Sequence, residues 1–128
     1  MKILVIEDEK AIRSLLSQAF QQKGHEVLTA ENGRLGLDAI ILHNPDVVFV
    51  DLIMPELTGL DVLTRARGRG FKNPMIMLTG SASMLDLESV KAAGAYAIVL
   101  KPFRLEKLEA LLKEIETGTP PPASSNPR

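Results

Sequence analysis

Four short apolar runs in this chain end on residues that could carry phosphoryl chemistry. Ile3-Leu4-Val5-Ile6 leads to Glu7 and Asp8, and Val47-Val48-Phe49-Val50 to Asp51. Met75-Ile76-Met77-Leu78 leads to Thr79, and Ala97-Ile98-Val99-Leu100 to Lys101. Val/Ile-rich runs without polar alternation read as strands buried on both faces of a parallel sheet. The carboxyl ends of parallel strands share one edge, where open α/β sheets bind ligands. Three carboxylates, one hydroxyl and one ammonium are therefore expected to converge, with a formal sum of −2. Two carboxylates about 4 Å apart repel by roughly 4 kcal/mol at an effective dielectric of about 20. Such a cluster calls for a divalent cation or a proton. All-oxygen ligands without His or Cys favour a hard ion, and a small, partly hydrated site favours Mg²⁺. Asp8 and Asp51 are the expected direct ligands, with Glu7 acting through a bound water. A carboxylate nucleophile (Asp51), a metal, Lys101 and Thr79 suffice for phosphoryl transfer, which depends on positioning and charge neutralisation. Taken singly, acidic strand ends often only cap helices and a Thr in a turn is ordinary. The full set at four strand ends is not ordinary.

The segments between the runs have helical spacing. Ala11, Ile12, Leu15, Leu16, Ala19 and Phe20 form one apolar face, stopped at Gly24, and His25–Ala30 reads as a second strand. Asn32-Gly33 leads to a helix with Leu37, Ile40 and Ile41. Thr58 with Asp61, and Ser83 with Asp86, resemble helix N-caps ahead of Leu60, Leu63, Ala66 and of Leu87, Val90, Ala93. Gly94 is the stop of the second of these, and Leu105, Leu108, Leu112 and Ile115 mark a last helix. Five strands alternating with five helices predict an α/β doubly wound sandwich with right-handed crossovers, without fixing strand order. From about Thr117 the chain turns rich in Pro and Ser, so residues 117–128 are expected to be a disordered tail or linker stub.

The composition suits one domain of 128 residues. Fifteen Lys plus Arg against 16 Asp plus Glu give a net charge of −1, without the basic footprint of direct nucleic-acid binding. No cysteine is present, so disulfides and thiolate metal sites are excluded. The apolar runs fall far short of the ~20 residues that span a bilayer. The N-terminus opens into a strand without a signal-peptide pattern, so a cytoplasmic location away from membranes is expected.

With these residues in view, the chain resembles the receiver domain of two-component response regulators, of the chemotaxis-regulator type. The resemblance rests on Ile3 to Asp8, Asp51-Leu52-Ile53-Met54-Pro55 with Gly59, Met77-Leu78-Thr79-Gly80, and Gly94-Ala95 through Lys101-Pro102-Phe103. It covers residues 1–116. It implies a (βα)5 fold with strand order 2-1-3-4-5 and a cis bond before Pro102. It also implies Mg²⁺ at Glu7, Asp8, Asp51 and the backbone carbonyl of Ile53, with Asp51 as phosphoacceptor and Thr79 and Lys101 binding the phosphoryl oxygens. Such a chain catalyses its own aspartyl phosphorylation and dephosphorylation while serving as a switch. Its implied partner is a sensor histidine kinase or histidine phosphotransfer protein, docking on Ala11, Ile12, Leu15, Pro102 and Phe103. Its output is a changed α4–β5–α5 surface on a monomer or a weak, phosphorylation-dependent dimer. Two departures stand out. Glu7 occupies a position where Asp is commonest, and the switch aromatic falls on Ile98, with Tyr96 expected on the same strand face but further from the site.

Other readings fit less well. A flavodoxin-like binder would need a Ser/Thr/Gly phosphate loop where Glu7-Asp8-Glu9-Lys10 stands. A haloacid-dehalogenase-like Mg²⁺ phosphatase places its nucleophile after the first strand, with a second Asp two residues on. A pseudo-receiver that only binds partners would have no need of Asp51, Thr79 and Lys101 together.

Overall fold

The computed structural model describes residues 1–80 and 84–118. The proposed Ser83 cap and the tail beyond Gly118 lie outside the described residues. Five strands alternate with five helices in the expected order. β1 (Lys2–Ile6), α1 (Lys10–Gln22), β2 (Glu26–Ala30), α2 (Gly33–His43) and β3 (Val47–Asp51) make the first half. α3 (Gly59–Gly68), β4 (Met75–Thr79), α4 (Met84–Ala92), β5 (Ala97–Leu100) and α5 (Leu105–Thr117) complete it. All pairings are parallel, in the order β2-β1-β3-β4-β5. The last helix takes in Thr117, one residue beyond the expected boundary, and ends on Gly118 in the left-handed region.

Strand alternation splits the core in two. Ile3, Val5, Val47, Phe49, Ile76, Leu78 and Val99 pack with Leu16 and Phe20 of α1 and Leu108, Leu111 and Leu112 of α5. Leu4, Ile6, Val48, Val50, Met75 and Met77 pack on the other face with Leu37, Ile40, Val62, Leu63, Ala66 and Val90 from α2, α3 and α4. Every residue of β3 and β4 is buried, which explains the unbroken apolar runs. Asn32 caps α2 through the Leu35 N–H, and Thr58 with Asp61 forms a reciprocal capping box at α3. Ala11 and Leu15 do not join the core. They lie exposed on α1 beside the half-buried Ile12.

Tyr96 does not share a face with Ile98, contrary to expectation. It sits in a bend just before β5, so strand alternation does not reach it. Its ring packs with the α1–α5 cluster and its hydroxyl donates to Glu114 Oε1 at 3.3 Å, whereas Ile98 packs on the α2–α4 side.

The start of α3 touches the sheet edge directly. The Gly59 N–H donates to Leu52 O, and a Cβ at residue 59 would lie 2.4 Å from Asp51 O and 2.7 Å from Leu52 Cα. Those are backbone atoms and cannot rotate away. Gly59→Ala should therefore destabilise the fold by about 1–3 kcal/mol, as overpacking does. Urea unfolding of wild type and variant measures this, and equal midpoints would contradict the close approach.

Candidate functional site

The strand register sets the four carboxyl ends in rows. Ile6 pairs with Val50 and Asp51 with Leu78, so Glu7 and Asp51 follow one another into the same row. Thr79 pairs with Leu100, and the Lys101 N–H donates to Thr79 O at 2.7 Å. The Lys101–Pro102 bond that follows is cis.

Lys101 spans the site. Its Nζ donates to Glu7 Oε1 and to Asp51 Oδ2, each at 3.1 Å. Glu7 and Thr79 are fully buried and Asp51 is 5% exposed, while Asp8 is exposed. Ligand oxygens of Glu7, Asp8 and Asp51 lie within 4.8 Å of one another. Two buried acids opened to solvent by an exposed third, with no nitrogen or sulfur donor, suit a hard divalent cation. The second oxygens are also held: the Glu9 N–H donates to Glu7 Oε2 at 3.0 Å, and the Ile53 N–H to Asp51 Oδ1 at 3.2 Å. The Ile53 side chain points outward, 62% exposed.

The electrostatics are strained. Burial pushes the Glu7 carboxyl from its ordinary 4.5 up to about 7, and the Asp51 charge adds to this against the Glu9 N–H and Lys101. Burial would lower the Lys101 ammonium, but its hydrogen bonds and charge pairing with Asp51 and Glu7 outweigh that and raise it.

Two further residues join that the sequence reading passed over. Glu9 Oε1 lies 4.0 Å from Lys101 Nζ, putting three carboxylates within 4.0 Å of one ammonium; with Asp8 beside them the formal sum is −3 in place of −2. The contiguous acids Glu7-Asp8-Glu9 were the available signal. Arg13 donates from Nη1 to Glu7 O at 2.7 Å and, at 3.5 Å, to Asp8 O. Nothing in the sequence marks an arginine one turn into α1 as reaching backwards. Of the expected docking residues, Ile12 and Phe103 pack against the same apolar cluster, while Ala11, Leu15 and Pro102 are exposed.

The sequence pattern of the response regulator receiver domain matches residues 3–113. The chain belongs to that family. Response regulator MprA of Mycolicibacterium vanbaalenii is 36% identical over 121 residues, covering 94% of this chain and 52% of MprA. Regulatory protein AtoC of Escherichia coli is 35% identical over 112 residues, covering 88% of this chain and 24% of AtoC. The chain thus spans about half the length of MprA and less of AtoC. Among solved structures, chemotaxis protein CheY4 of Vibrio cholerae superposes with a TM-score of 0.83 at 33% identity, over 89% of this chain and 97% of CheY4. The flavodoxin-like sheet order of this receiver domain is the one the family resemblance implied. Receiver domains of this family interact with histidine kinases or phosphotransfer proteins. Among the described residues, no helix is long and apolar enough to cross a membrane.

The raised Glu7 carboxyl gives a pH prediction for the chelator-treated receiver. The folded chain holds the Glu7 proton more tightly than the unfolded chain, so protonation favours folding. This contribution is full below about pH 4.5 and is lost as pH rises through about 7. Carbon-detected NMR of the Glu7 carboxyl should show a midpoint near 7. A midpoint at its ordinary 4.5 would contradict the buried geometry.

Proposed function

We propose that this receiver domain takes a phosphoryl group from a phosphohistidine onto Asp51 and passes the change to its α4–β5–α5 surface. The observation that carries the reading is Lys101 Nζ held 3.1 Å from both Glu7 and Asp51 at the mouth of the sheet. An Asp51 oxygen attacks the phosphorus and an O–P bond forms. The P–N bond of the phosphohistidine breaks, and its electron pair returns to the ring nitrogen, leaving neutral imidazole because the other ring nitrogen carries a proton. Lys101 exchanges a carboxylate partner for an oxygen of the incoming group, and the Thr79 hydroxyl donates to another. Glu7, Asp8, Asp51 and the Ile53 carbonyl are the groups that would hold Mg²⁺. When bound, Mg²⁺ supplies the positive charge that lets an anionic donor approach these acids.

Thr79 and Ile98 are the proposed switch residues. Strand alternation puts them on the same side of the sheet, facing α4. Ile98 has no ring and is stiff at χ1, so the response leaves through displacement of neighbouring backbone rather than ring rotation. The proposed partner is a sensor kinase or histidine phosphotransfer protein. It docks where Ile12 and Phe103 each pack against the α1–α5 side of the core, near the exposed Ala11, Leu15 and Pro102. The work is assigned to the cytoplasm, with the chain a monomer or a weak dimer that forms on phosphorylation.

Two experiments test this. With acetyl phosphate and Mg²⁺, the intact mass should rise by one phosphoryl group, and Asp8→Ala should lose that gain while keeping its melting temperature. Full phosphorylation in excess chelator would overturn the metal-dependent reading. For docking, Ile12→Lys and Phe103→Lys should slow transfer from a phosphohistidine protein about 10-fold or more, as charges placed at an interface core do. They should leave acetyl phosphate reactivity largely intact. Equal slowing with both donors would show damage to the fold instead of to the docking surface.

A further inference from the structure

Arg13 carries its charge where helix electrostatics disfavours it. Aligned peptide dipoles leave a helix N-terminus partly positive, so cations are unwelcome in its first turns. α1 nevertheless begins at Lys10, has no acidic residue in its first turn, and its N-cap residue Glu9 makes no side-chain cap. The Arg13 guanidinium turns back past the helix start instead. Nη1 donates to Glu7 O at 2.7 Å, with a longer contact to Asp8 O at 3.5 Å. Those are consecutive carbonyls, and each belongs to a residue whose carboxylate enters the acidic cluster. The loop they form is the one most exposed to repulsion, because Glu7, Asp8 and Glu9 are successive in the chain and Asp51 faces them. Lys101 compensates this charge from the front, on the carboxylates. Arg13 acts from behind, on the backbone.

We propose that Arg13 is a positioning residue that fixes the Glu7–Asp8 peptides and thereby holds both carboxylates within reach of Asp51, setting the affinity of the site for a divalent cation. This rests on the metal-dependent phosphoacceptor reading. Arg13 touches neither the cluster's carboxylate oxygens nor, on that reading, the phosphoryl group. Residues that orient metal ligands from behind typically change metal affinity by about 10–100-fold when removed.

The test titrates Mg²⁺ alone into the chain and follows the amide signals of Asp8 and Ile53. Arg13→Ala should weaken Mg²⁺ binding by about 10-fold or more. Arg13→Lys should recover part of the loss, because a single ammonium keeps the charge without the guanidinium fork. With acetyl phosphate, the Mg²⁺ concentration giving half-maximal phosphorylation should rise in step, while the rate at saturating Mg²⁺ falls far less. A merely structural role would instead lower the melting temperature in chelator and leave the Mg²⁺ titration of the folded fraction unmoved. If Arg13→Ala does not fold, Arg13→Gln carries the test, keeping a donor and the stem without the charge. Wild-type affinity in either folded, neutral variant overturns the proposal. A wild-type chain that takes up no Mg²⁺ fails at the earlier reading, and the two failures are thereby distinguished.

Discussion

The contact that organises this molecule is the Lys101 ammonium lying between Glu7 and Asp51. It joins residues 94 and 50 positions apart in the chain, at the ends of three different strands. Buried carboxylates are costly unless paired, and this pairing is incomplete, because one ammonium faces more than one acid. Burial, with the Asp51 charge adding to it, pushes the Glu7 carboxyl up to about 7. The sheet below is rigid enough to hold the mismatch: β3 and β4 are buried along their whole length, and apolar helices cover both faces. A well-packed scaffold thus holds a site that is unbalanced until a cation or an anion-bearing partner alters its charge.

The same constraint explains the local sequence around the site. Gly59 is required where α3 approaches the Asp51 peptide, since any side chain would meet backbone. The Ile53 N–H and the Glu9 N–H each hold one oxygen of a site carboxylate, leaving the other to Lys101. Backbone donors fix direction at little cost in side-chain entropy, which suits groups that must be aimed before a partner arrives.

Much of this was legible in the chain. Buried parallel strands have a strong sequence signature because neither face permits a polar residue, and β1, β3 and β4 were readable for that reason. The run Ala97–Leu100 departs from that expectation: as the edge strand β5 it is only partly buried, and Leu100 is half exposed. Caps were readable where the signal is local, as with Thr58 and Asp61. What escaped depended on side-chain reach or on a break in periodicity. Arg13 contacts carbonyls behind it in the chain, and long flexible side chains leave no spacing rule to read. Glu9 reaches Lys101 only because the loop turns it back over the site. Tyr96 was assigned a strand face by counting in twos, and the bend before β5 defeats that count. Leu15 looked like part of an apolar helix face, yet it is 48% exposed, since the sheet covers only the stripe marked by Leu16 and Phe20.

On the proposed function, the charge imbalance at the strand ends is directed at one atom group, the Asp51 carboxylate. Chemical mapping tests it most directly. The chain is phosphorylated with Mg²⁺ and a phosphohistidine protein, reduced with borohydride to convert an acyl phosphate to an alcohol, and cleaved for fragment mass analysis. The account predicts conversion of Asp51 to homoserine, with the other acids of the cluster unchanged. Label on Glu7, Asp8 or Glu9, or a hydroxyl phosphate on Thr79 with Asp51 intact, would contradict it.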